Sequence, residues 1–400
     1  MTIDIRKYSA FLEQVASEID IPPSKYQDAV DRYEAVGHWL EGGVYPGCRG
    51  EPCVCVQGSF RLGTVTRPIR DGIEACYDID LVCELPLDKG QTTPQAVKSM
   101  VGVRLREHGT YKQLLEPEGR RCWTLEYAEQ DGVGFHLDVL PAIPDDRKLS
   151  DTAIAITNMQ DGAYFWSGSN PRGYGIWFDG KNATAFSRAV FEQKLSIQRR
   201  ATLVYASVDK VPDQLVRTPL QRSIQLMKRH RDLRFNDQDR IAYAPISVII
   251  TTLAAHLYGN EPDVYSALSG IIGKLHGHAA LVENKAIDRA LATMGLIQRR
   301  PDGTWYIGNP SNPKENFADR WHEDNHARAR AFFAWVDALQ NDLLNILGET
   351  NPQLLKEHLS RVLGAGVVAK TFDALVPPTA TIDAPPRIHI TGAAKPWREV

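Results

Sequence analysis

Positive charge in excess is missing from this 400-residue chain: 46 Lys and Arg stand against 49 Asp and Glu, a net charge of −3. A protein that grips long duplexes over its surface needs a basic field, so any site for a polyanion here must be local. Cysteine is also scarce. All six (Cys48, Cys53, Cys55, Cys76, Cys83, Cys122) lie in the first third and none forms a Cys-x-x-Cys pair, which removes a zinc ribbon. Cys53 and Cys55 are expected on opposite faces of a strand, poorly placed to share an ion, and reduced thiols fit a cytoplasmic chain. Long apolar runs are scarce too. Residues 241–260, IAYAPISVIITTLAAHLYGN, carry no Asp, Glu, Lys or Arg, but Pro245 and His256 interrupt them, so a buried helix is expected rather than a bilayer crossing. The opening MTIDIRKYSAFLEQ lacks the apolar stretch of an export signal, and the expectation is a cytoplasmic protein without membrane contact. No repeat of 20 to 50 residues is visible, which excludes a solenoid.

What is present is an ordinary globular composition, 43% hydrophobic and 24% charged, on a chain long enough for more than one core. Tyr8, Leu12, Val15 and Ile19 recur at helical spacing, Pro22-Pro23 interrupts, and Tyr26, Val30, Tyr33 and Leu40 resume the period. From Glu51 to about Pro144 short apolar runs alternate with turns, so PCVCVQ, YDIDLVCEL, CWTLEYA and VGFHLDVLPAIP read as strands, with a helical stretch over 92–115. Beyond about residue 185 the periodicity is almost wholly helical, with stripes such as Leu220, Ile224, Met227 and Phe332, Val336, Leu339, Leu343. The expected fold class is α+β, a mixed-sheet catalytic layer packed on a C-terminal helical domain. Its expected units are N-terminal helices (1–50) packing on both lobes, a catalytic domain (51–190), a helical domain (191–375) and an extended arm (376–400).

The chemistry concentrates on three acidic residues. In YDIDLVCEL, Asp78 and Asp80 leave one face of a strand while Ile79, Leu81 and Cys83 leave the other. Two such carboxylates repel, and a divalent cation between them resolves the repulsion. In VGFHLDVLPAIP, Asp138 has the same exposure between buried-type neighbours. Any one of these Asp residues alone reads best as a solvated strand-face residue. If the two strands are sheet neighbours the three carboxylates meet, an all-oxygen donor set suited to Mg²⁺ or Mn²⁺ rather than zinc. Upstream, Gln57-Gly58-Ser59 closes the first strand in a turn that allows close backbone approach and offers a hydroxyl and amides to a phosphate.

A strand, a Gly-Ser turn, an Asp-x-Asp strand and a later single Asp resemble the polymerase-β-type nucleotidyltransferases. The blocks QGSFRLGTVTRP, YDIDLVCEL, FHLDVLPAIP, SNPRGYGIWF, TPLQRSIQLMKRHRD, ISVIITTLAA and NPSNPKENFADRW, spanning roughly residues 51–325, narrow the resemblance to the bacterial cGAS/DncV-like nucleotidyltransferases of CBASS antiphage systems. The resemblance implies a cyclic oligonucleotide synthase that uses two Mg²⁺ (or Mn²⁺) ions, joins nucleoside triphosphates with release of pyrophosphate, and signals to a separate effector in antiphage defence. It implies that Asp78, Asp80 and Asp138 are the catalytic, metal-holding residues. Nucleotide contacts would come from Gln57, Gly58, Ser59, Lys228 and Ser247. Nucleic acid is not required, and a regulatory partner is left open. The rivals are a linear oligonucleotide synthase, an RNA- or protein-modifying nucleotidyltransferase of the same superfamily, or a nucleotide-binding regulator without turnover.

Other features are weighed against simpler readings. Arg229 and His230, beside Lys228, read as a solvated cationic helix face. His322-Glu323-Asp324-Asn325-His326 satisfies His-Glu-x-x-His, yet no third ligand follows. His276 and His278 read as surface residues. Trp166, Tyr174, Trp177 and Phe178 are candidates for stacking on a base, with core packing at least as good a reading.

Overall fold

A computed structural model of the chain describes residues 3–70, 73–130, 133–145, 150–201 and 216–376. The arm expected from residue 376 onward therefore lies, from 377, outside the described residues.

Helix α1 (Ile5–Glu18) starts where the Asp4 carboxylate accepts the N–H groups of Arg6 and Lys7 at 2.8 and 3.1 Å, and after a short break Pro22 precedes and Pro23 opens α2 (Pro23–Glu41). The two helices serve different cores. Tyr8, Phe11, Leu12 and Val15 of α1 pack among the C-terminal helices, whereas Val36 and Leu40 of α2 pack on the sheet.

The sheet begins with β1 (Cys53–Gln57), followed by a single turn, α3 (Gly58–Arg61), and the short pair β2 (Ile69–Arg70) and β3 (Ile73–Glu74). Then come β4 (Tyr77–Glu84), α4 (Pro94–Glu107), α5 (Gly109–Leu114), β5 (Trp123–Gln130), β6 (Val133–Pro144), β7 (Ile154–Gln160) and β8 (Ala163–Ser169). The strand order is β1-β4-β6-β7-β8, with β5 also paired to β6. Strands β4 and β6 are parallel, which requires a crossover, and α4, α5 and β5 occupy it. The remaining pairs of this sheet are antiparallel, so the sheet is mixed, as expected. One face is closed by α2 and α4, where Val36, Val97, Val101 and Leu105 meet Leu81, Cys83, Leu137 and Val139. The sequence reading stopped the sheet at Pro144; β7 and β8 carry it two strands further.

The second half holds α6 (Pro171–Ala201), α7 (Pro219–Arg234), α8 (Ser247–Leu257), α9 (Val264–His276), α10 (Arg289–Met294), α11 (Ala327–Leu339), α12 (Pro352–Leu363) and α13 (Ala365–Leu375). Two small strand pairs interrupt it: β9 (Gln298–Arg299) with β10 (Trp305–Tyr306), and β11 (Gly308–Asn309) with β12 (Asn312–Asn316). These strands are the exceptions to an almost wholly helical second half, three of them only two residues long and β12, NPKEN, without apolar alternation. The apolar run at 241–260 resolves into α8, whose Ile249, Ile250 and Leu253 are buried. Among the described residues no helix is long and apolar enough to cross a membrane.

Three expectations are corrected. Arg229 and His230 are not solvated: they are 1% and 2% exposed, because α7 runs through the helical core against α1, α8, α9, α11 and α12. Burial is compensated for His230, whose Nδ1 accepts the Trp335 indole N–H at 3.1 Å and whose Nε2 donates to Asp342 at 3.0 Å. His278 is buried as well, with Nδ1 donating to the Lys274 carbonyl, while His276 stays exposed against Asp337. Cys53 and Cys55 share a face rather than opposing one another, since residues two apart in a strand point the same way, and the Arg172 guanidinium meets both. All six cysteines are free thiols.

Candidate active site

At the end of β1 the chain turns at Gly58 with φ +65°, a conformation that favours glycine. The turn comes against β4, where Gln57 is in register with Asp80, and a Cβ on Gly58 would lie 2.1 Å from the Asp80 Oδ2. Glycine is thus fixed twice, by backbone conformation and by the carboxylate beneath it. Ser59 follows in α3, and its carbonyl accepts the Thr64 N–H at 3.0 Å, folding the loop back.

The parallel register of β4 and β6 sets Asp80 opposite Asp138 and Asp78 opposite His136. All four leave the sheet on the face away from α2 and α4, while the alternating Ile79, Leu81, Leu137 and Val139 are buried. Asp138 accepts a short hydrogen bond from the Thr124 hydroxyl, delivered by the β5 register. Asp78, nearly half exposed, has its Oδ1 3.5 Å from His136 Nδ1.

These residues line one cleft of about 1560 Å³ that also takes in Gln57, Gly58, Ser59, Lys228 and Ser247. Lys228, 4% exposed, reaches from α7 to donate to the Thr64 carbonyl at 3.0 Å. Ser247 opens α8, and its hydroxyl accepts from Arg231 at 3.0 Å. The electrostatics are those of a crowded floor. Burial, then Asp138 and Asp78, push the Asp80 carboxyl up to about 7, with Lys228 opposing. Burial and Arg231 pull the Lys228 ammonium down to about 7, against Asp232 and Asp80.

Among the described residues no three carboxylate, imidazole or thiol groups close into a ready-made metal cage. The donors do fit a hard divalent cation of the kind that takes one or two carboxylates and completes its shell with substrate phosphate oxygens. The His-Glu-x-x-His match is no zincin site. His326 has φ +63° and precedes α11, and its Nδ1 accepts the Trp305 N–H at 3.0 Å, so the two imidazoles do not share a helix face. Of the four aromatics, Tyr174 lines the cleft, its hydroxyl bonded to that of Thr252. Phe178 is core, Trp177 packs on His256, and Trp166 packs on the sheet core.

Sequence reasoning missed Thr124, His136 and Thr64, which become visible only once strand register is known. It also named no residue in the far wall, where Asn309, Ser311 and Glu315 line the cleft.

Comparisons with known proteins bear on the family and the fold. The family described as "Cyclic GMP-AMP synthase DncV-like, nucleotidyltransferase domain" matches residues 52–141, the stretch that carries the Gly-Ser turn and all three Asp residues. A c-di-GMP synthase of Roseivirga ehrenbergii is 30% identical over 341 residues, covering 83% of this chain and 77% of that protein. The cyclic dinucleotide synthase CdnG of Bradyrhizobium diazoefficiens is 26% identical over 91% of this chain and 82% of its own. The solved structure of CdnG in complex with GTP superposes with a TM-score of 0.66 at 23% identity, covering 92% of this chain and 98% of that one. Escherichia coli DncV in its 3′-deoxy GTP bound form gives 0.51 at 15% identity, over 92% and 93% of the two chains. At those identities the superpositions speak for the fold, and the Roseivirga relative speaks for the lineage: this chain belongs to the cGAS/DncV-like nucleotidyltransferases and is an enzyme of that family.

Proposed function

We propose that the enzyme condenses nucleoside triphosphates, releases pyrophosphate and closes the product into a cyclic di- or trinucleotide. The observation that carries this reading is the register that sets Asp80 beside Asp138 beneath the Gly58-Ser59 turn. The cleft, at about 1560 Å³, exceeds the usual range of a single small-molecule pocket, which suits two substrates held at once.

Asp78, Asp80 and Asp138 are the residues assigned to hold two divalent ions, Mg²⁺ or Mn²⁺. Such ions, when bound, neutralise phosphate charge and make an acceptor hydroxyl more acidic. The chain's own residues do the rest. Gln57, Gly58 and Ser59 cradle the triphosphate, Lys228 and Ser247 approach it from the helical side, and Thr124 fixes the rotamer of Asp138. Catalysis in this reading is positioning and charge compensation. The setting we propose is cytoplasmic, with the cyclic product sensed by a separate effector in antiphage defence.

The direct test supplies the pure protein with four labelled triphosphates and Mg²⁺, treats the product with phosphatase and weighs it by mass spectrometry. A ring is expected to resist phosphatase and to lack terminal phosphates. A wholly phosphatase-sensitive product would indicate a linear synthase, and nucleotide binding without turnover would indicate a regulator.

Lys228→Met is expected to raise KM for triphosphate by roughly 10- to 100-fold, the worth of one charge-assisted hydrogen bond. Steady-state pyrophosphate release checks it. An unchanged KM would remove Lys228 from the phosphate site.

A further inference from the structure

The cleft has two chemically different ends. Strand order sets them apart: from β4, which carries Asp78 and Asp80, to β8 is three strand spacings, roughly 14 Å. Strand β12 lies against β8 at that remote edge. It is fastened there by Asn170, 2% exposed, whose side-chain amide donates to the Ser311 carbonyl at 2.9 Å while the Ser311 hydroxyl donates to the Asn170 carbonyl at 3.1 Å.

From this anchor a chain of hydrogen bonds aims one carboxylate. Asn309, 5% exposed, has its Oδ1 held by the Ser311 N–H at 2.8 Å, and its Nδ2 donates to Glu315 Oε2 at 2.8 Å. Glu315 lines the cleft, and one of its carboxylate oxygens is pinned by that hydrogen bond. Its charged neighbours are Arg121 and Asp319. A group built this way is preorganised rather than a mobile surface side chain.

The chemistry narrows what it receives. A carboxylate accepts hydrogen bonds and repels phosphate, so the triphosphate belongs at the Ser59 and Lys228 end and a neutral donor belongs here. Among the four bases only guanine presents two adjacent donors, N1–H and the N2 amino group. Adenine and cytosine offer an amino group beside an acceptor ring nitrogen, and uracil offers one N–H between two carbonyls. We propose that Glu315 reads guanine in the nucleotide seated at the β8–β12 end of the cleft, accepting from N1–H and the N2 amino group. This rests on the nucleotide-joining function proposed above.

The test compares GTP, ITP and ATP on the wild type and on Glu315→Gln, with melting temperature as the control for folding. ITP keeps N1–H and lacks the 2-amino group. The wild type should prefer GTP to both, and in Glu315→Gln kcat/KM for GTP should fall roughly 10- to 100-fold, the scale of one bidentate base contact. ITP should lose less and ATP little, so the GTP preference collapses. An unchanged GTP:ITP:ATP ratio, or an equal loss on all three, would overturn the assignment. Wild-type protein inert on every triphosphate would instead sink the synthase reading, and calorimetric binding of GTP and ITP to both proteins would then judge Glu315 by the same ratio.

Discussion

Asp80→Asn is expected to lower turnover by roughly 10³-fold, the scale of removing one preorganised electrostatic stabiliser from a reacting centre. The same substitution should raise the melting temperature of the ligand-free protein at pH 8. Burial beside Asp138 and Asp78 lifts the Asp80 carboxyl from 3.8 to about 7, so between those values the folded chain holds a proton that the unfolded chain has released. Stability contributed by this group is therefore full below pH 4 and lost as pH rises through 7. Asn escapes that loss. Its advantage, on the order of a few degrees, should be complete at pH 8 and vanish toward pH 4. Thermal melts across that range, run beside pyrophosphate release, read both effects. Unchanged product formation would remove Asp80 from the mechanism. A variant less stable at pH 8 would mean that Asp80 is held by structural partners rather than strained for function.

Gly58→Ala should be nearly as damaging, although it removes no functional group. The new methyl must occupy φ +65° and lie 2.1 Å from the Asp80 Oδ2, a distance no Cβ tolerates. Either the turn retreats or Asp80 swings away from Asp138. A misplacement of about 1 Å at a reacting centre costs on the order of 10²-fold in rate. The expected result is a fall of that size in kcat/KM, with a modest loss of melting temperature from backbone strain. Ser59→Ala, one residue on, adds no atoms and should cost far less. Activity of Gly58→Ala within twofold of wild type would show that the turn and the carboxylate are not coupled.

Much of this site was legible because its logic is local. Alternation along YDIDLVCEL puts Asp78 and Asp80 on one face without any knowledge of the fold, and a Gly-Ser turn after a strand is a contiguous pattern. That Asp138 joins them depended on strand pairing, and the β4–β6 register supplied it. Thr124 was beyond reach for the same reason: its value lies in being opposite Asp138, a relation between strands. Arg229 and His230 misled because charge on a helix ordinarily marks solvent. Here α7 is enclosed, and Trp335 and Asp342, distant in sequence, make the burial of His230 tolerable. Strand β12 is as long as β1, but its NPKEN has no apolar alternation, so the block NPSNPKENFADRW was noticed as a segment while no residue of the wall that carries Glu315 was singled out.

The placement of α1 bears on how the molecule is made. Tyr8, Phe11, Leu12 and Val15 of α1 are made long before α13, yet α1 packs against α7, α9 and α13. Their apolar face must wait, uncovered, while the sheet and most of the bundle are translated, and this waiting surface is where chaperones or aggregation would engage the nascent chain. The core that joins α1 to α13 closes only when α13 has been made, so folding of this lobe must follow synthesis of both helices.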